Sequence, residues 1–237
     1  MSAAWAIFKK ELRVWFVSPI AYVFLGAFLF LAGLFFVMGI QQNGEASLRA
    51  MFSNLSVSLL FLLPLLTMKH FAEEERLGTF EFLMTAPVPL WALLLGKWAA
   101  SLALCALLLV LTGVFPLLLA IYGDPDWGVV ATSYLGLLLC CAAFSSAGLF
   151  TSSLSDEPVA AGLGGVLVLL PFWIAGGAAQ LVDWEPGRQA LRQLSFLTHV
   201  EPFSVGIIDS SHVAWFVLFS FAFLFLTWRS VESRRWR

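Results

Sequence analysis

From position 20 to position 40 the chain carries no charged residue, and nearly every side chain in the run is apolar. At about 1.5 Å per residue, a helix of that length crosses the ~30 Å hydrocarbon core of a bilayer. Five further runs of this kind follow, at 50–68, 91–122, 129–150, 159–181 and 212–228. The expected fold is therefore an all-α membrane protein of six transmembrane helices in one domain, 1–237. Composition supports this, since 60% of residues are hydrophobic and only 12% charged, against about 25% charged in a soluble domain.

Residues 4–16 read differently. Trp5, Phe8, Leu12, Trp15 and Phe16 recur at helical spacing, while Lys9, Lys10 and Arg13 gather on another face. Such an amphipathic helix lies in the membrane interface with its bases among lipid headgroups. Ser18-Pro19 should break it, and the apolar run that follows is too long for a secretory signal, so it reads as a retained first span. The second span is milder, with Ser53, Asn54, Ser56 and Ser58, and should face other helices. Pro116 is expected to kink the third near its far end, and Lys97 to snorkel from its start. Gly123-Asp124-Pro125-Asp126 and Ser155-Asp156-Glu157-Pro158 separate the later spans.

Basic residues set the orientation. With the amino terminus cytoplasmic, Lys9, Lys10, Arg13, Lys69, Arg76, Lys97, Arg229, Arg234, Arg235 and Arg237 fall inside, and only Arg49, Arg188 and Arg192 outside. Both termini are then cytoplasmic. The largest cytoplasmic feature is 69–89, which gathers Lys69, Glu73, Glu74, Glu75, Arg76 and Glu81. Gly78 suits a helix stop, Thr79 an N-cap with Glu81 in the first turn behind it, and Pro87 a terminator. Two short helices should meet at Gly78, the second exposing Phe80, Phe82, Leu83 and Met84. Exposed apolar side chains beside carboxylates suit a docking surface with a polar rim.

Other chemistries find less support. Leu95-Gly96-Lys97-Trp98 lacks the first glycine and the hydroxyl of a phosphate-binding loop. No acidic residue is expected near the midplane of any span, where ion-coupled carriers commonly place one. His70, His199 and His212 show no zinc spacing. Cys105, Cys140 and Cys141 read as small hydrophobes, and no basic tract or aromatic platform suggests nucleic acid. Ser145-Ser146 could mark an intramembrane nucleophile, so a membrane-embedded enzyme or scaffold is the alternative, with an ion-coupled carrier a third reading. The glycines at 162, 164, 165, 176 and 177 permit close approach, either within the subunit or at a dimer face.

The run Glu75-Arg76-x-Gly78-Thr79-x-Glu81-x-Leu83-x-Thr85-x-Pro87-Val88 resembles the signature of type-2 ABC exporter permeases. The stretch 194–209 resembles the subgroup that includes gliding-motility and copper-associated permeases. The resemblance implies a transport subunit of the cytoplasmic (inner) membrane of a prokaryote, with no catalytic, cofactor or metal residues of its own. ATP and magnesium would be bound by a separate ABC ATPase. A second permease, identical or related, would complete the assembly, and lipid would surround it. Docking to the ATPase would fall to Glu73, Glu74, Glu75, Arg76, Gly78, Thr79, Phe80, Glu81, Phe82 and Leu83. Lys9, Lys10 and Arg13 would lie along the membrane beside it. Residues 183–211 would form the external segment, with a turn at 184–187 and a basic helix beginning at Arg188.

Overall fold

The structure is a computed structural model that describes residues 3–43, 48–80, 88–123 and 125–234. Among the described residues it is built of helices, in the order α1 (Ala3–Val17), α2 (Pro19–Asn43), α3 (Arg49–Thr67), α4 (Lys69–Arg76), α5 (Leu90–Thr112), α6 (Val114–Tyr122), α7 (Trp127–Leu154), α8 (Pro158–Ala178), a 3-10 turn (Ala179–Leu181), α9 (Glu185–Leu194), α10 (Phe196–Ser204) and α11 (Ser210–Arg234). Six stretches are long and apolar enough to cross a membrane: Ala21–Gln41, Arg49–Arg76, Leu90–Tyr122, Trp127–Leu154, Pro158–Leu181 and Ser210–Arg234. They overlap the six expected spans, the second running on through α4, which the sequence assigns to the segment after it.

The bundle is organised around α7, against which α3, α4, α5, α8, α10 and α11 all pack. Its sequence explains the role. Gly136, Cys140, Ala143 and Ala147 recur at helical spacing and are buried, so neighbouring backbones come close. A Cβ on Gly148 would collide with Thr67 and sit 3.4 Å from the Cα of Pro64, and one on Gly136 would fall 2.9 Å from Phe203 Cβ. Gly162 and Gly165 of α8 likewise face Pro64 and Leu65 of α3 and Met68 just after it, so these two glycines serve packing within the subunit. The outer faces of α2, α8 and α11 carry exposed Phe30, Leu167, Val217 and Leu218, as lipid contact requires. The three cysteines are free and buried.

Where helices break, local chemistry gives the reason. α1 ends at Val17, Ser18 makes the bend, and Pro19, which needs no amide partner, opens α2. The expected kink at Pro116 lies three residues earlier, at Gly113 between α5 and α6. Proline lacks the N–H that would bond the carbonyl one turn back, so the Thr112 carbonyl loses its helical donor and the helix breaks beside it, at Gly113. Asp126 caps α7, accepting from Gly128 N at 2.9 Å and Val129 N at 3.4 Å. Asp124 lies outside the described residues.

The 183–211 segment differs from its expected form. Residues 184–187 are no separate turn, because α9 already begins at Glu185 with Pro186 in its first turn. Its successor α10 inserts Phe196, His199 and Phe203 into the bundle. Phe196 is the hub of an aromatic cluster, 4.8 Å from Phe144, 5.0 Å from Trp215 and 4.9 Å from Phe219, ring centre to ring centre.

Adding one methyl at Gly148 should overpack the α3–α7 contact. Gly148→Ala is expected to lower stability by about 1–3 kcal/mol, measured by thermal unfolding in detergent. Gly177→Ala, which meets nothing within 4 Å, should be neutral or slightly stabilising.

Candidate functional site

The site begins with a glycine. Gly96 on α5 lets α1 lie so close that a Cβ there would fall 2.8 Å from Ile7 Cγ2 and 3.0 Å from Ala4 O. The inward face of α1 is thus fixed as Ala4, Ile7, Glu11 and Trp15, one helical turn apart. Glu11 and Trp15 are buried, while Trp5 and Phe16 are exposed. That face is rotated from the one the apolar spacing suggested, and it carries a carboxylate at its centre. Lys9, Lys10 and Arg13 are exposed, as expected.

Lys97, next to Gly96, is 1% exposed and does not snorkel. An ammonium has three protons to place, and all three find acceptors. Nζ donates to His70 O at 2.8 Å, to Glu74 Oε1 at 2.9 Å and to Glu11 Oε1 at 3.1 Å. It also stands 5.2 Å over the Phe71 ring. Lys10 Nζ adds a second cation, 3.4 Å from Glu74 Oε1 and 3.7 Å from Glu11 Oε1. Two ammonium groups thus balance two carboxylates. His70 completes the cluster, with Nδ1 3.6 Å from Glu11 Oε2 and Nε2 2.7 Å from Ser101 Oγ. Burial pushes the Glu11 carboxyl up, but the His70 imidazole and the Lys97 ammonium outweigh it and hold the group well below its ordinary value of 4.5. It stays ionised. A cleft of about 350 Å³ opens beside the cluster between α1 and α4.

A single hydroxyl holds α4 in place. Between α3 and α4 the chain turns at Met68, leaving a carbonyl and amide hydrogens without helical partners. Ser152 of α7 supplies both needs. Its Oγ donates to Met68 O at 2.8 Å and accepts from Phe71 N at 3.0 Å and Ala72 N at 3.1 Å. At the other end the expected stop is present. Gly78 has φ +67°, Gly78 N bonds Glu75 O and Thr79 N bonds Glu74 O, both at 2.9 Å, which closes the helix as a Schellman turn.

The three glutamates of α4 have separate partners, Glu73 on its own helix and the other two on neighbouring elements. Glu73 lies 3.7 Å from Lys69, Glu74 binds Lys97, and Glu75 lies 2.9 Å from Arg234 of α11. Arg234 also reaches Asp156 at 3.2 Å. These carboxylates are bonded within the chain, and what the tip of α4 presents outward is Arg76, Leu77, Gly78 and Thr79. Leu77, 65% exposed, is an apolar side chain on that surface with no place in the sequence reading. Phe80 corrects an expectation. It is 7% exposed and packs edge-on against Phe71 at 6.4 Å, among Leu93, Leu94 and Val231. It anchors the segment to the bundle because Phe71 and the start of α5 offer it an apolar seat. Glu81, Phe82 and Leu83, with Met84, Thr85 and Pro87, lie outside the described residues.

The structure thus brings Glu73, Glu74, Glu75, Arg76, Gly78, Thr79 and Lys10 together at one end of the bundle, with Lys9 and Arg13 on the outer side of α1. Sequence reasoning missed Glu11, His70 and Arg234. The signal available was a lone glutamate among three bases, and a lysine at the head of an apolar run. Ser145 and Ser146 are fully buried and donate to Ala142 O and Ala143 O one turn back, which occupies their hydroxyl protons in helix packing. Among the described residues, no group of three or more His, Cys, Asp or Glu is placed to hold a metal ion.

The chain matches the family described as ABC-2 type transporter over residues 2–202. No curated protein matches the chain.

Removing the cation alone should cost far more than removing the whole cluster. Lys97→Met leaves the buried Glu11 and half-buried Glu74 carboxylates with Lys10 alone and is expected to destabilise by up to about 3–5 kcal/mol, whereas Lys97→Met with Glu11→Gln and Glu74→Gln should recover most of that loss in the same unfolding assay. Because the Glu11 carboxyl is depressed, its contribution is in place above the ordinary value of 4.5 and drains away as pH falls from there towards the folded value. A pH series should show an acid-side decline that flattens in Glu11→Gln. Ser152→Ala should cost about 1–3 kcal/mol, the penalty for stranding buried backbone groups.

Proposed function

The chain belongs to the ABC-2 type transporter family, the membrane-spanning permease components of ABC transporters, and we propose that it couples a separate ATPase to export through the segment that begins with α4. The observation that carries this reading is the lock between Lys97, Glu11 and Glu74. It joins α4 to α1 and to the base of α5, so that a force applied at 73–83 reaches a whole span and not a loose loop.

In this reading the tip of α4, with Arg76, Leu77, Gly78 and Thr79, continues into Glu81, Phe82 and Leu83 as the surface that meets the ATPase. Glu73, Glu74, Glu75 and Phe80 set the pose of that surface. ATP and magnesium belong to the ATPase, and this subunit performs no covalent chemistry. The excess of bases at this end of the bundle supports a cytoplasmic position for both termini and for α4. Exposed Lys9, Lys10 and Arg13 suit α1 to lipid headgroups of a prokaryotic inner membrane. A second permease, identical or related, completes the assembly, and the likeness at 194–209 supports the gliding-motility and copper-associated subgroup.

Co-purification with the ATPase tests the docking surface. Replacing Glu81 and Phe82 together, or Leu77→Asp alone, should cut recovery of the complex by at least about tenfold, since one charge in an apolar contact costs more than 1.4 kcal/mol. Unchanged assembly and unchanged ATP turnover in both variants would overturn the assignment.

A further inference from the structure

The apolar stretch Pro158–Leu181 ends away from Lys97, and after Val182, Asp183 and Trp184 the chain enters α9. This helix packs on α8 and on the 3-10 turn, yet none of its ten residues is buried. Set out at about 100° per residue, they form two flanks beside a line of contact. Half-buried Gly187 and Leu191 mark that line. Pro186, Ala190 and Leu194 occupy one flank, and Glu185, Gln189 and Arg192 the other, and all six are exposed. An apolar flank thus lies uncovered beside the bundle, opposite a polar one.

Its surroundings say what covers it. Leu163, Leu167 and Ile174 are exposed along one face of α8, and Leu181 beyond them is 85% exposed. That stripe belongs to a membrane span, and the apolar flank of α9 continues it. Trp184, 69% exposed, lays its ring over Gly187, where a Cβ would fall 2.6 Å from Cε3. Tryptophan is enriched at the membrane–water boundary. Just past the end of a span is also where an interfacial helix sinks its apolar face, about 5–10 Å into the boundary between headgroups and acyl chains. The polar flank fits the headgroups. Glu185 pairs with Arg188, while Arg192 has no ion pair among the described residues. A guanidinium at that level asks for an anion, and phosphate suits its planar fork.

We propose that α9 lies in the phospholipid surface at this end of the bundle, with Pro186, Ala190 and Leu194 in lipid and Arg192 among the headgroup phosphates. Through Ser195 the helix leads straight into Phe196, so the membrane surface sets the height of the aromatic hub. The inference needs the six spans and not the ATPase reading, and it holds whichever side of the membrane this end occupies.

The test uses the full chain in phosphatidylcholine vesicles, with a fluorescent thiol label on Ala190→Cys or on Gln189→Cys. The native cysteines are buried, so the label goes to the new one, and an unchanged thermal midpoint checks folding. Both positions are exposed in the protein alone, so any difference between them reports what covers the helix. Phosphatidylcholine brominated high on its acyl chains should quench the label at 190, and iodide on both sides of the membrane should quench the label at 189. Adding Arg192→Glu, which sets a carboxylate against the phosphates, should reduce bromolipid quenching at 190. Equal behaviour of the two labels would overturn the proposal. So would a label at 190 shielded from iodide but untouched by bromolipid, because a second copy or another protein would then be the cover. Quenching unchanged by Arg192→Glu would overturn the phosphate contact.

Discussion

An ammonium group withdrawn from water must place three protons, and the architecture around Lys97 follows from that demand. No one helix can meet it. α5 contributes the lysine, α1 a carboxylate, and α4 a carboxylate and a carbonyl. The three elements are held in one geometry because removing any acceptor would strand charge in a poorly solvated place. Gly96 is the steric condition for the same arrangement, since any side chain there would push Glu11 out of reach. Packing and electrostatics therefore make a single demand at two adjacent positions.

The helix ends obey a related rule. Within a bilayer-sized bundle, a break in the hydrogen-bond ladder is tolerated where other groups close it. Ser152 closes the joint between α3 and α4, a Schellman turn closes α4, and a second at Gly206, φ +89°, closes α10. The central helix α7 needs no such repair in its middle. It meets its neighbours through glycine, alanine, cysteine and serine, whose small size brings other backbones close and makes it the rigid axis of the fold.

Much of this could be read from the chain because bilayer thickness turns apolar length into topology. The six spans, the break at Ser18-Pro19 and the stop at Gly78 all rest on local rules, and all are present. The function of Lys97 was hidden because its partner Glu11 is 86 positions away and sits among Lys9, Lys10 and Arg13, where a glutamate passes for part of a polar face. Phe80 misled for a similar reason. Its neighbours Glu81 and Thr79 mark a solvent-facing segment, yet its seat is made by Phe71 and by α5, which only the tertiary fold brings together. The break at Gly113 was displaced from Pro116 because proline harms the carbonyl one turn before it, and an adjacent glycine takes up the bend.

Consecutive residues on a helix point about 100° apart, and α4 puts three glutamates in a row. Glu73 therefore holds its own helix, Glu74 reaches towards α1 and α5, and Glu75 towards α11. Such a short rod has spokes in several directions. A torque about its axis loads the Lys97 and Arg234 contacts together and spreads through both flanks of the bundle. A thrust along the axis bears first on the Ser152 joint.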